Sequence, residues 1–345
     1  MKKILLFAFL LIFALSLTAC TEKPTEGLAY TISKDGASLS GIGTAKKENN
    51  IIIPSVYGGK KVTAIAANAF KDCLNVESVT IPASVKEIDP SAFAGCDNLT
   101  TIVVDPLNKN FTAKDGCVYT KDGQTLVVCA TGNTATKVTV TDGVTSIGKG
   151  AFEGCKTIES VTLPNSLLVI EDYAFAGCTA LKSINIPDSV TIIGNNAFFN
   201  CEEATELTIG NSVTSIGVAA FAHCVNIETI NYNAVSVNAF SEDNQIFMNV
   251  GKDGRGIDLV FGAKVETLPS HLFATSSETA PKLVTVKFTN AKSCTVIGVS
   301  AFKYCNSITE LTVSSEEDFA MIEFRDDYSN PLTLNINIKI KESKK

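Results

Sequence analysis

Phe152, Phe175, Phe198 and Phe221 stand 23 residues apart, and Phe70 and Phe93 keep the same interval. A fixed period in this range marks a repeat architecture, in which the fold is a stack of similar units rather than one closed globule. The surroundings of each Phe recur with it. Val144-Thr145-Ser146-Ile147-Gly148 leads to Ala151-Phe152, Gly154-Cys155, then Ile158, Val161, Leu163 and Pro164. The next row supplies Ile170, Ala174-Phe175, Gly177-Cys178, Leu181, Ile184, Ile186 and Pro187. The row after that supplies Ile193-Gly194, Ala197-Phe198, Cys201, Leu207 and Ile209. Further copies carry Phe273 and Phe302, and Phe240 reads as a degenerate one.

Each row has a physical reading. Leu181-Lys182-Ser183-Ile184-Asn185-Ile186 ends in the alternation of a half-buried strand. Ala174-Phe175-Ala176-Gly177-Cys178 reads as a short helical turn with Phe inward. One such unit cannot bury its own apolar face. Rows stacked about 4.8 Å apart, the ordinary strand spacing, close a continuous core. The expected fold is a repeat solenoid, a right-handed leucine-rich-repeat-like coil. A parallel β-sheet runs along one face, with short helical turns opposite, a β-rich N-terminal cap and a hairpin insert. A hydrophobic fraction of 45% is enough for such a core.

The ends and the irregularities divide the chain. Met1-Lys2-Lys3 and the apolar run Ile4 to Leu17, too short for a good membrane span, read as a signal peptide over 1–19. Leu17-Thr18-Ala19-Cys20 resembles the lipobox of bacterial lipoproteins, which implies cleavage before Cys20 and lipidation of it. Residues 20–27 then form a solvated, lipidated tether, 28–61 the β cap, 62–317 the solenoid and 318–345 a capping segment with a basic tail. Between Phe93 and Phe152 lie 59 residues, 36 more than one row. This insert, about 105–138, holds Gly116-Cys117-Val118-Tyr119-Thr120 and Leu126-Val127-Val128-Cys129 around Asp122-Gly123, a hairpin signal. Residues 241–262, with Gly251, Gly254, Gly256 and Gly262, read as an irregular loop. Leu334 to Ile340 alternates as a last strand would.

The chemistry-bearing residues point away from catalysis. Cys73, Cys96, Cys155, Cys178, Cys201, Cys224 and Cys305 each follow a repeat Phe by three residues. They are expected as an internal ladder of free thiols, because neighbours at the rung spacing sit farther apart than the roughly 3.8 Å between Cβ atoms that a disulfide prefers. Cys294 takes a core position. With Asp122-Gly123 as a two-residue turn, Cys117 faces Val128, and a bridge to Cys129 needs another register. No metal-ligand spacing occurs. The two histidines, His223 and His271, fall at variable turn positions and read as surface residues. Asp326-Asp327 reads as a solvated turn. No nucleophile elbow, phosphate loop or carboxylate pair appears, so no enzyme, cofactor or small-molecule substrate is expected. The net charge of −7 becomes −9 once the two signal lysines are gone, and basic residues cluster only at Lys341 to Lys345, so nucleic acid is excluded.

What remains is the exposed face of the sheet. Alternation turns Ser78, Thr80, Ser160, Thr162, Ser183, Asn185, Glu206, Thr208, Thr229, Asn231, Thr285, Lys287, Glu310 and Thr312 outward in one long polar lane. Such residues also make good, soluble strands, so the lane reads equally as a binding face or as a plain sheet surface. The rows resemble the BspA-type leucine-rich repeat family of bacterial and protist surfaces, through the motif I-G-x-x-A-F-x-x-C-x-x-L-x-x-(I/V)-x-(I/L)-P over roughly residues 28–335. That resemblance implies an exported surface lipoprotein, held to the membrane by its lipid, that recognises an extracellular protein or glycan in adhesion. A structural lipoprotein of the envelope is the alternative.

Overall fold

In the computed structural model, described for residues 23–132, 135–334 and 339–342, the rows stack as a β-solenoid of mostly parallel strands. Residues 1–19, read above as a signal peptide, and Cys20 lie outside the described residues. The expected sheet is present as three hydrogen-bonded sheets in succession. Asn50–Ile52, Ser78–Ile81 and Thr101–Val104 form the first, and Lys137–Thr139 with Ser160–Thr162 the second. The third runs through Ser183–Asn185, Glu206–Ile209, Thr229–Tyr232, Ile257–Phe261, Leu283–Phe288, Glu310–Val313 and Lys339–Glu342. A second run of short parallel strands, not anticipated from sequence, follows the start of each row. Ser146–Ile147, Val169–Ile170, Ile192–Ile193 and Ser215–Ile216 are examples. Two residues are too few to show a period, which is why alternation did not reveal them.

The turn that carries Phe93 is a short 3-10 helix, Pro90–Phe93, while the other Phe turns are non-helical, and their backbone explains the motif. In the regular rows the residues two before and two after the Phe are left-handed: Tyr173 (φ 58°) and Gly177 (φ 71°) flank Phe175, and Asn196 (φ 53°) and Asn200 (φ 60°) flank Phe198. Alternating the handedness turns successive N–H groups in opposite senses. Tyr173, Phe175 and Gly177 N–H donate to Asn195, Ala197 and Phe199 carbonyls of the next row at 2.9, 2.7 and 2.8 Å. The intervening Ala174, Ala176 and Cys178 N–H bond three residues back within the turn. The backbone is therefore bonded row to row on this side as well, and few donors are left over. The motif glycine has a different reason. A Cβ on Gly194 or Gly217 would lie 2.4 Å from the backbone nitrogen of Asp172 or Asn195 in the preceding row.

The Phe rings form an internal column. Phe152–Phe175, Phe175–Phe198 and Phe198–Phe221 stack with centroids 4.8, 4.9 and 5.6 Å apart. The column then continues through Phe247, not Phe240: Phe221–Phe247 and Phe247–Phe273 are 5.6 and 4.8 Å apart. The segment 241–262 is accordingly a full row rather than an irregular loop. Gln245 and Asn249 take the two left-handed positions around Phe247, and Ile257–Phe261 joins the long sheet. The expectation failed because the interval to Phe247 is 26 residues instead of 23.

The insert is also more regular than it reads. Thr125–Cys129 pairs in parallel with Ser146–Ile147, and Cys129 N–H donates to Ala151 O at 2.7 Å, as a column Phe would. Only Phe111–Lys114 and Cys117–Thr120 are additional, and both pair antiparallel. Here the aromatic column breaks, and the core divides into two clusters. Val118, Val128 and Ala130 pack with the N-terminal cluster, while Cys117, Leu126 and Cys129 pack with the C-terminal one.

At the N-terminal end, Ala29–Ile32 pairs antiparallel with Ala37–Gly41, while Ala37–Gly41 and Asn50–Ile52 already belong to the parallel stacks. The tether is shorter than expected, because Thr25 exchanges hydrogen bonds with Ile52 at 3.0 and 2.8 Å. At the other end, Lys339–Glu342 pairs with Glu310–Val313 as a last strand.

Phe175 is buried between two ring neighbours. Phe175→Ala should lower the unfolding free energy by about 3–5 kcal/mol, as at other buried aromatic sites. Urea denaturation measures this, and a loss under about 1 kcal/mol would mean that the column does not carry the packing.

Candidate functional site

The polar lane is built by strand register. In the long sheet, Ser183, Glu206, Thr229, Asp258, Thr285, Glu310 and Lys339 stand rung upon rung, and so do Asn185, Thr208, Asn231, Val260, Lys287, Thr312 and Lys341. Between the two files, Ile184, Leu207, Ile230, Leu259, Val286 and Leu311 point inward and are buried. Ten of the lane residues expected from sequence thus share one continuous surface. Asp258, Val260, Lys339 and Lys341 join them. The first pair was missed because its row had been read as a loop, although Ile257-Asp258-Leu259-Val260-Phe261 carries the alternation. Ser160 and Thr162 sit one row away, in the separate two-strand pair, and Ser78 and Thr80 lie beyond the insert in the N-terminal sheet.

Within the lane many polar groups bond to the next rung. Asn231 Nδ2 donates to Glu206 Oε1 at 3.0 Å and to Thr208 Oγ1 at 3.2 Å. Thr285 Oγ1 donates to Asp258 Oδ1 at 2.8 Å, and Lys341 Nζ pairs with Glu310 Oε2 at 2.5 Å. Arg255 reaches Glu228 and Asp258 at 3.2 and 3.6 Å. These exposed pairs contribute little stability individually. Their effect is to hold the side chains in a fixed array. Asn185 and Thr162 remain exposed, as does Lys287.

The other candidates resolve into structure. Cys117 and Cys129 are disulfide-bonded, against the expectation that they face different partners. Tyr119 pairs with Leu126 as the two-residue turn requires, but a bulge shifts the register so that Val118 meets Val128 and Cys117 meets Cys129. Val127 is the extra residue. The ladder cysteines and Cys294 are free. The thiols of Cys178, Cys201 and Cys224 donate to the carbonyls of Phe152, Phe175 and Phe198 one row back, at 3.2, 3.4 and 3.2 Å. Burial pushes the thiols of Cys96, Cys155 and Cys294 up to about 12.

His223 and His271 are half-buried rather than surface residues. Both are left-handed turn positions, and the His223 ring packs 5.1 Å from Phe199 while Cys224 points inward. Asp326 is not a free turn carboxylate, for it accepts from Ser300 N–H at 2.9 and 3.0 Å and closes the last turn. Among the described residues no group of three or more His, Cys, Asp or Glu could hold a metal ion, and no helix is long and apolar enough to cross a membrane.

Comparison with known proteins bears on the repeat. The family model for the BspA type leucine-rich repeat region matches residues 38–120, 129–251 and 257–329, in six copies. No curated protein matches the chain. Among solved structures, the pneumococcal vaccine antigen PcpA superposes with a TM-score of 0.59 at 18% identity, over 84% of this chain and 61% of that one. The chain thus spans about three fifths of that antigen's length. Leucine-rich repeat proteins from Eubacterium ventriosum and Bacteroides ovatus give TM-scores of 0.45 and 0.43, at 17% and 19% identity. The first covers 88% of this chain and 94% of its own, the second 93% and 91%.

The raised thiols make a direct prediction. A thiol whose proton is held up to about 12 is un-ionised at pH 8 and cannot attack an alkylating agent, and burial excludes the reagent as well. Native protein treated with iodoacetamide at pH 8 should therefore leave Cys96, Cys155 and Cys294 unmodified, and unfolded protein should be labelled at all three. Peptide mass mapping reads the outcome. Labelling of the native protein at Cys155 would mean that the column opens readily.

Proposed function

The chain belongs to the BspA-type leucine-rich repeat family, and on that premise we propose that it is an exported, lipid-anchored recognition protein of the bacterial envelope. Its polar lane binds an extended extracellular protein or glycan. The observation that carries this reading is the continuous register of the lane rungs in the long sheet, whose bulge falls just before Asp258 and which holds two files of mostly polar side chains at the strand spacing. A flat, periodic array of hydroxyl, amide and charged groups suits a long partner that can make many similar contacts. It lacks the buried aromatic and Arg anchors of tight interfaces, so each molecule binds weakly and many copies on one surface supply avidity. The disulfide is consistent with export, since such bonds persist in oxidising compartments.

A second reading is an envelope scaffold without a soluble ligand. The cross-rung bonds of Asn231 and Thr285 favour it, because side chains satisfied by one another have less to offer a partner. The two readings differ in what lane substitutions do. Lysine at Thr162, Asn185 and Thr208 puts charge on three consecutive rows of the outward face. Like charges on facing strands cost a few tenths to about 1 kcal/mol, so the fold should survive. Binding of any partner found by screening residues 21–345 against matrix proteins, mucins and whole bacteria should fall at least tenfold in the triple variant, and persist in the turn-side control Thr179→Lys. A folded triple variant that binds as before would remove the lane as the recognition surface.

The anchor is tested separately. Cys20→Ala should move the expressed protein from the detergent phase to the aqueous phase in a phase-separation assay. Unchanged partitioning would show that something other than Cys20 holds it.

A further inference from the structure

The N-terminal cap carries a feature that the stacking of rows does not explain. Residues 56–61 form a hairpin beside the first strand of the cap: Val56–Tyr57 pairs antiparallel with Lys60 and Lys61 across Gly58-Gly59. Both glycines are left-handed, at φ 56° and 76°, as the tightest hairpin turn requires. Every residue from Ser55 to Lys61 is exposed. Val56 and Tyr57 are 52% and 42% exposed, and Ile32 on the neighbouring strand is 50% exposed. These side chains belong to one patch. A Cβ on Gly58 would lie 2.8 Å from Ile32 Cδ1, Tyr57 stacks on Tyr30 with centroids 4.1 Å apart, and Lys60 Nζ donates to Lys34 O at 3.0 Å. Apolar tips at the end of a soluble fold need a reason, because they contribute nothing to the core.

Charge and position supply one. Residues 23–61 hold six lysines and three carboxylates, in a chain whose net charge is −7. Lys34, Lys60 and Lys61 surround the apolar tips, and Asp35 is the one carboxylate in the same turn. The chain enters the fold close by. Thr25 is already hydrogen-bonded to Ile52, four residues before Val56. Thr25 follows Cys20 by five residues. Even fully extended, five residues reach about 18 Å.

We propose that this patch rests on the anionic phospholipid surface to which the chain is tethered, with Tyr57, Val56 and Ile32 in the headgroup layer and Lys34, Lys60 and Lys61 on lipid phosphates. For its geometry this rests on the anchor at Cys20. Tyrosine is suited to the membrane–water boundary, and lysines at an anionic surface contribute about five-fold each to binding. Docking the cap in this way turns the solenoid's other end outward and leaves the long polar sheet clear of the bilayer.

The test uses residues 21–345, which keep every described element and carry no lipid. Binding to phosphatidylcholine vesicles with and without phosphatidylglycerol is read by sedimentation. The protein should bind only the phosphatidylglycerol vesicles, and binding should fall as salt rises. Tyr57→Ser with Lys60→Glu and Lys61→Glu should weaken binding more than tenfold, while Lys121→Glu on the distant hairpin should not. Should the triple variant melt early, the two lysine reversals alone decide, since they leave the Tyr30–Tyr57 stack in place. Equal binding by variant and wild type, or no preference for the anionic vesicles, overturns the proposal. So does a wild-type dimer in solution that the same substitutions dissociate, which would assign the patch to a second copy. Because no lipid is attached, these outcomes are independent of whether Cys20 carries the anchor.

Discussion

Everything in this molecule depends on a single distance, the rise from one row to the next. Backbone hydrogen bonds set it on both strand runs and again at the Phe turns, where Tyr173, Phe175 and Gly177 donate to the row ahead. The Phe rings accept the same spacing, stacking at 4.8 to 5.6 Å where the column is continuous. Strand pairing and aromatic contact are thus satisfied by one repeat length, and neither has to be strained to suit the other. The column of thiols follows as a by-product. Cys178, Cys201 and Cys224, each three residues after a column Phe, are brought to the carbonyl of the preceding column Phe, where each serves as a small donor in an apolar space.

Because backbone bonds and the inward-facing side chains maintain the stack, the outward side chains of the sheet are far less constrained by it. The two files on the long sheet vary from row to row in charge and size while the inward file stays aliphatic. That division of labour lets the outward face change without disturbing the stack. It also leaves the identities of the outward residues unspecified by the fold. The stacking rule constrains only the residues that face in.

The repeat itself was legible in the sequence because its inward residues recur at fixed intervals, and the fold class followed from that alone. Most of the lane was legible too, since Ser183, Glu206 and Thr229 occupy matched positions in rows of equal length. What escaped notice did so for physical reasons. A row of 26 residues moved the column Phe from the expected neighbourhood of Phe240 to Phe247, and hid Asp258 and Val260 from the lane. A bulged residue, Val127, brought Cys117 opposite Cys129, and no reading of the turn residues alone could have placed it. The two-residue strands and the left-handed turns are enforced by neighbouring rows, so the local sequence carries almost no trace of them.

The left-handed positions beside each Phe have a consequence for how this chain can change over generations. They are filled by Tyr173, Ala219, His223, Gln245, His271, Ser300 and Tyr304, and by Gly, Asn or Asp at the other such sites. The requirement falls on a torsion angle rather than on a chemical group, and only glycine meets it without steric cost. Rows copied from one ancestor can therefore drift far apart in visible sequence while keeping the same backbone, each replacement lowering stability slightly and none breaking the stack. A solenoid of this kind ages unevenly. Its kinship to its own repeats fades first at the turns and last along the buried Phe and Cys, and that is where ancestry stays readable.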